Sequence, residues 1–214
     1  MESYFVGLDL SLNGTGLIIL DNETKIINKK LITSNPKEDI EDRYIHILLE
    51  LDFILSIHPL QKINVEGLSY QSVSSNAAQL AGLHFIVRTE LKKKLINYKE
   101  KVEIIPPGVL KKFITGKGNC KKNLILLNVF KKFGETFDDD NLADAYSLAR
   151  LALFEYNKKE DIQMDKVHKE DKKKKKETVL INDSFIQEVN ISKENADSIM
   201  ESKTNKKEII HERV

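Results

Sequence analysis

Four acidic side chains in this sequence stand where their charge needs a reason. Asp9 ends the apolar run Tyr4-Phe5-Val6-Gly7-Leu8, Glu66 follows Ile63-Asn64-Val65, and Asp140 and Asp144 flank Asn141-Leu142-Ala143. A carboxylate placed where a hydrophobic strand runs out loses hydration that only a cation or hydrogen-bond donors can offset. Carboxylate sets hold hard divalent cations, and two such ions can clamp both sides of a phosphodiester during hydrolysis. For Asp9 or Glu66 taken singly, a turn-capping acid is an equal reading. For Asp138 to Asp140 an acidic helix N-terminus is the ordinary one, because acids suit the helix dipole there. Asp144 resists that explanation, since it lies within Leu142-Ala143-Asp144-Ala145, where a buried charge needs a partner. Asp140 and Asp144 are four residues apart and share a helical face.

The elements that would position these acids follow from periodicity. Residues 3 to 10, 14 to 20 and 25 to 33 read as three strands joined by turns at Asn13-Gly14 and Asp21-Asn22, an antiparallel meander. Residues 39 to 57 form an amphipathic helix with Ile40, Ile47, Leu48, Leu51, Ile54 and Leu55 inward. A strand at 62 to 66, a long helix at about 75 to 97, and a strand at 102 to 105 come next. Two short helices follow, and then the carboxylate helix, ending near Tyr156 with an apolar stripe of Leu142, Ala145, Leu148, Ala149, Ala152 and Leu153. Three meandering strands followed by strands alternating with helices predict an α/β domain, a mixed sheet flanked by helices, over residues 1–157. Asp9 and Glu66 become neighbours if the first and fourth strands lie side by side.

Composition bounds the chemistry. The chain has 214 residues and a formal net charge of +1. No apolar run approaches the length of a membrane span and no secretory leader is visible, so a soluble, cytoplasmic protein is expected. The single cysteine, Cys120, provides neither a disulfide framework nor a zinc cluster, which leaves magnesium or manganese as the expected metal. The near-neutral total hides a basic third: Arg88 to Lys132 holds 13 Lys and Arg against 3 Glu. Such a block neutralises phosphates and supplies salt-sensitive affinity for nucleic acid, although Lys92 to Lys94 alone read better as a solvated face. Within it, Lys111-Lys112-Phe113-Ile114-Thr115-Gly116-Lys117-Gly118-Asn119-Cys120-Lys121-Lys122 is a glycine-bracketed, lysine-rich turn between two helices, and does not have P-loop spacing. Residues 158–214 carry 14 basic and 13 acidic residues, with the run Lys172 to Lys176, and are expected to form a disordered or weakly helical tail.

Taken in order, Gly7-Leu8-Asp9-Leu10-Ser11-Leu12-Asn13-Gly14-Thr15-Gly16, Val65-Glu66-Gly67, the Lys111 to Lys122 segment and Asp140-Asn141-Leu142-Ala143-Asp144-Ala145-Tyr146-Ser147-Leu148-Ala149 resemble the RuvC-like Holliday junction resolvases, closest to their phage-type branch, over residues 3 to 155. The resemblance implies a ribonuclease H-like fold, a homodimer, phage or mobile-element origin, and a magnesium- or manganese-dependent endonuclease that nicks two strands of a four-way junction. It implies metal ligation by Asp9, Glu66, Asp144 and one further acid, with Lys111 and Lys122 near the scissile phosphate or backbone. In bacterial members the fourth ligand lies three residues before the last aspartate, which here is Asn141. Asp140 is the substitute that shares the helical face, while Asp139, five before, is the weaker choice. Two ions and 5′-phosphate ends are the expected mechanism, with Lys122 stabilising the phosphorane charge. Lys112, Lys117 and Lys121 are expected on the DNA backbone. Tyr70, in the polar segment Ser69 to Asn76, is a candidate for stacking on a base at the exchange point, with a plain turn tyrosine as the rival reading.

The apolar surplus on the helix from Ala77 to Val87 is compatible with a dimer seam or with deeper burial, and His84 there reads as a packing histidine. Two other functions fit parts of the chain. The Gly7 to Gly16 hairpin resembles the phosphate-binding hairpin of actin-like ATPases and sugar kinases. A non-catalytic junction-binding protein follows if Asn141 marks a degraded site.

Overall fold

A computed structural model of the chain describes residues 3–68, 75–118 and 123–166. The chain divides into two units, one ending at Lys158 and one beginning at Lys159. In the first, β1 (Tyr4–Asp9), β2 (Thr15–Leu20) and β3 (Ile26–Ile32) are antiparallel neighbours, and β4 (Leu60–Glu66) and β5 (Val102–Ile105) add to the other side of β1 in parallel, giving the order β3-β2-β1-β4-β5. The expected pairing of first and fourth strands is therefore present. The sheet edges are protected in the usual way, with Lys29 and Lys30 on β3 and a four-residue β5 carrying the exposed Glu103.

Alternation divides the strands between two cores. Val6, Leu8, Leu17, Ile19, Ile63 and Val65 pack beneath α1 (Ile40–Ser56) and α2 (Ser75–Lys94). The alternate residues Phe5, Ile18 and Leu20 meet α4 (Pro107–Thr115), α5 (Asn123–Phe133) and α6, a helix over residues 140 to 166. The part of the second unit that is described, 159 to 166, is helical and exposed. The rest of the expected tail, from 167 onward, lies outside the described residues.

Two boundaries differ from expectation. The long helix stops at Lys94 rather than 97, because Asn97 adopts a left-handed φ of 63° and starts a separate turn, α3 (Tyr98–Lys101). Helix α6 runs past Tyr156 on polar residues that have strong helix propensity but no apolar stripe to announce them. Among the described residues, no helix is long and apolar enough to cross a membrane.

Candidate metal centre

The site is built at the C-terminal ends of two parallel strands. Leu8 pairs with Val65, so Asp9 and Glu66 are each the next residue along, on the face turned to α6. Helix α6 approaches that face unusually closely. A Cβ added at Gly7 would stand 1.8 Å from the Ala145 carbonyl oxygen, and one at Gly16 would stand 2.2 Å from that of Asn141. Main chain thus meets main chain, a contact that only glycine allows. Ala145 and Ala149 complete the close packing, and the helical turn ahead of them delivers Asp144 to the strand ends.

The start of α6 is fixed by Asp139. Its Oδ1 accepts hydrogen bonds from the backbone N–H groups of Asn141 (2.8 Å) and Leu142 (3.3 Å), an N-cap of the ordinary kind. The acidic run therefore does contain a cap, and it is the middle residue.

Carboxylate oxygens of Asp9, Glu66 and Asp144 lie within 4.8 Å of one another. Asp144 is 7% exposed, and Asp9 and Glu66 are half-buried. Burial raises the Glu66 carboxyl to about 9, the adjacent Asp9 and Asp144 push the same way, and Lys111 on α4 opposes them. A site that holds a glutamic acid protonated at neutral pH is short of positive charge, which a divalent cation would supply. The donor set is all oxygen, which suits a hard divalent cation.

The remaining expected residues fall into separate groups. Asp140, at the first turn of α6, is not in the mutually close set of three. Asn141 places its amide nitrogen beside Gly14, in the β1–β2 connection. Lys111 reaches the electrostatic field of Glu66, while Lys112 on α4 and Lys117 just past its C-cap are exposed. Tyr70, Lys121 and Lys122 lie outside the described residues. Part of the basic block is used internally: Lys101 donates to the Leu60 carbonyl (2.8 Å), Lys132 donates to the Phe113 carbonyl (2.6 Å) and sits over the Phe113 ring, and Lys93 and Lys94 pair with Glu90 and Asp52.

The sequence reading missed several supporting residues. Arg43, 8% exposed, donates to the Leu12 carbonyl (3.1 Å), Asn13 Oδ1 (2.9 Å) and Ser34 Oγ (2.9 Å), holding the β1–β2 connection against α1. Its signal was a charge at the inward spacing set by Ile40 and Ile47. Thr15 closes the same connection, its Oγ1 donating to the Ser11 carbonyl (2.7 Å). Lys62 and Asn64 were overlooked because Ile63 and Val65 drew the eye to the other face of β4, although the polar residues 62, 64 and 66 alternate with them.

No family model and no curated protein matches the sequence. Among solved structures, Thermus thermophilus RuvC is similar, with a TM-score of 0.57 at 20% identity over 70% of this chain and 91% of that one. The fold is that of RuvC. A second structure, T. thermophilus RuvC in complex with Holliday junction substrate, gives a TM-score of 0.58 at 17% identity, covering 69% of this chain and 90% of that one. Both likenesses span nearly the whole RuvC chain, so the α/β sheet with its flanking helices is matched as a unit.

Proposed function

We propose that the protein is a divalent-cation-dependent endonuclease that resolves four-way DNA junctions by paired nicks. The observation that carries this reading is the convergence of Asp9, Glu66 and Asp144 at paired strand ends. It is supported by the likeness of the fold to RuvC, of which one solved structure holds a Holliday junction substrate. Asp9, Glu66 and Asp144 would hold magnesium or manganese, two ions in all, with Asp140, one turn before Asp144, as the fourth ligand. When bound, the ions lower the pKa of the attacking water and stabilise the leaving 3′ oxygen, which leaves 5′-phosphate ends.

The protein's own cations address the DNA. Lys111 offsets the acid cluster and faces the phosphate beside it, and Lys122 stabilises charge on the pentacovalent phosphorus. Lys112, Lys117 and Lys121 bind the backbone without regard to sequence. Tyr70 stacks on an unpaired base at the exchange point. Paired nicks require two sites, which a homodimer provides. The exposed Phe85 on α2 supports a seam on that side.

Cleavage of end-labelled four-way, three-way, flap and linear DNAs with magnesium or manganese tests the reading. Symmetric nicks on the four-way substrate are expected, with Asp9→Asn abolishing cleavage and retaining junction binding. Equal cutting of linear duplex, or full cleavage by Asp9→Asn, overturns it.

A further inference from the structure

Helix α6 meets β4 at a second polar contact, three turns from the carboxylate cluster. Lys62 is 3% exposed, and its ammonium group donates to Glu103 on β5 (2.8 Å) and to Glu155 on α6. Asn64, fully buried, donates from Nδ2 to the same Glu155 oxygen (3.2 Å), and its Oδ1 has no hydrogen-bond partner among the described residues. On β4, residues 62, 64 and 66 share one face. On α6, positions 144 and 155 are eleven apart, about three turns, and also share a face. Helix and strand therefore run antiparallel with two fixed points. Glu155 sits at Lys62 and Asn64, and Asp144 at Glu66. About 16 Å of helix lies along about 13 Å of strand between them.

The two points have opposite electrostatics. At the site, the three acids crowd within 4.8 Å, and the charges of Asp9 and Asp144 repel each other and disfavour the approach of Asp144 to the strand ends. At the other end, a buried cation draws Glu155 toward the sheet. Between them, the Gly7 contact with Ala145 and Ala149 blocks α6 from moving into the sheet but does not stop it sliding along β4. A directional, charged contact off the site resists that slide, together with the packing of Tyr156 on Phe5.

We infer that Lys62 and Glu155 are positioning residues for the carboxylate site, setting the place of Asp144 relative to Glu66 and so the affinity for the cation that neither touches. The inference rests on the metal-site reading of Asp9, Glu66 and Asp144. Partners hydrogen-bonded directly to a ligand alter metal affinity by about ten- to hundredfold when removed, and a contact that acts through about three turns of helix is expected to fall below that range.

The test uses the full chain with Mn2+ as probe. Binding is followed calorimetrically without DNA, and nicking of a four-way junction is followed as a function of Mn2+. Glu155→Gln keeps size and hydrogen bonding and removes the charge, Lys62→Met removes the partner, and Lys62→Glu with both Glu103→Lys and Glu155→Lys reverses all three charges. The single variants are expected to need about threefold more Mn2+ for half-saturation, with turnover at saturating Mn2+ within about twofold of the unsubstituted chain, and the reversed set to recover most of the affinity. Asp52→Asn, which breaks the exposed pair with Lys94, should leave Mn2+ binding unchanged. Folded Glu155→Gln protein that binds Mn2+ as tightly as the unsubstituted chain overturns the positioning role and leaves the metal site standing. An unsubstituted chain that binds no Mn2+ overturns the metal-site reading, and this inference with it.

Discussion

The two faces of the sheet are made by alternate residues of the same strands, yet they have different contents. Toward α1 and α2, β1, β2 and β4 present Val6, Leu8, Leu17, Ile19, Ile63 and Val65, an apolar layer. Toward α6, β4 presents Lys62, Asn64 and Glu66, and β1 presents Phe5, Gly7 and Asp9. One face is held by hydrophobic burial alone, which has no preferred direction. The other adds charge and main-chain contact, which fix distances, to an apolar cluster that includes Ile18, Leu20, Val129 and Tyr146. The difference separates stability from chemistry within strands only six or seven residues long.

Substitutions can break this separation from either side. The largest effect expected is on the polar face. Asp144→Asn should lower nicking by at least about a thousandfold at saturating Mn2+, the scale of removing a principal charge from a site, while leaving the unfolding midpoint unchanged or raised. Its measure is single-turnover cleavage beside thermal unfolding. On the apolar face, Leu17→Ala should cost about 3 kcal/mol in urea unfolding through lost burial and a residual cavity, with cleavage per folded molecule unchanged. Reduced turnover by folded Leu17→Ala protein would show that the faces are not separate.

Two pH effects sharpen the contrast. Glu66, raised to about 9 in the folded metal-free protein, is protonated at neutral pH, so cation binding must expel that proton. Half-saturating Mn2+ should fall by up to about tenfold per unit from pH 6 to 8, and calorimetry in buffers of different ionisation enthalpy should count the proton released. A carboxyl raised in this way favours the folded state below its unfolded pKa of 4.5 and loses that contribution as pH climbs toward 9. His84 works in the other direction. Burial first, and Arg88 second, lower it to about 4, so the unfolded chain takes up a proton between about 6.5 and 4 that the folded chain refuses. Stability should therefore decline as pH falls through that window, and His84→Gln should flatten the decline in a series of unfolding midpoints.

Much of this was legible in the sequence because it is written in short-range patterns. The meander shows in alternation and turn residues, and α1 shows in its inward spacing from Ile40 to Leu55. Asp9, Glu66 and Asp144 each stand out as a charge in apolar company. Pairings across long separations leave no local trace. Lys62 and Glu155 are 93 residues apart, and Arg43 reaches Leu12 across 31. The neighbours of Asp144 were ambiguous for a different reason: positions three and four residues away on a helix both lie near one face, so spacing alone cannot choose between Asp140 and Asn141. The end of α2 depended on one backbone angle at Asn97, which its sequence permits but does not demand.

The contact of Gly7 with α6 also limits how such a site can change. Since carbonyl and amide atoms of α6 rest against the strand, the height of α6 above β1 is ruled by backbone dimensions, and the gap between Asp9 and Asp144 can change only as the helix moves along the strand. Room for a larger cation would come from a shorter ligand, aspartate in place of Glu66, or from a shift of α6 along β4, and little from the surrounding core.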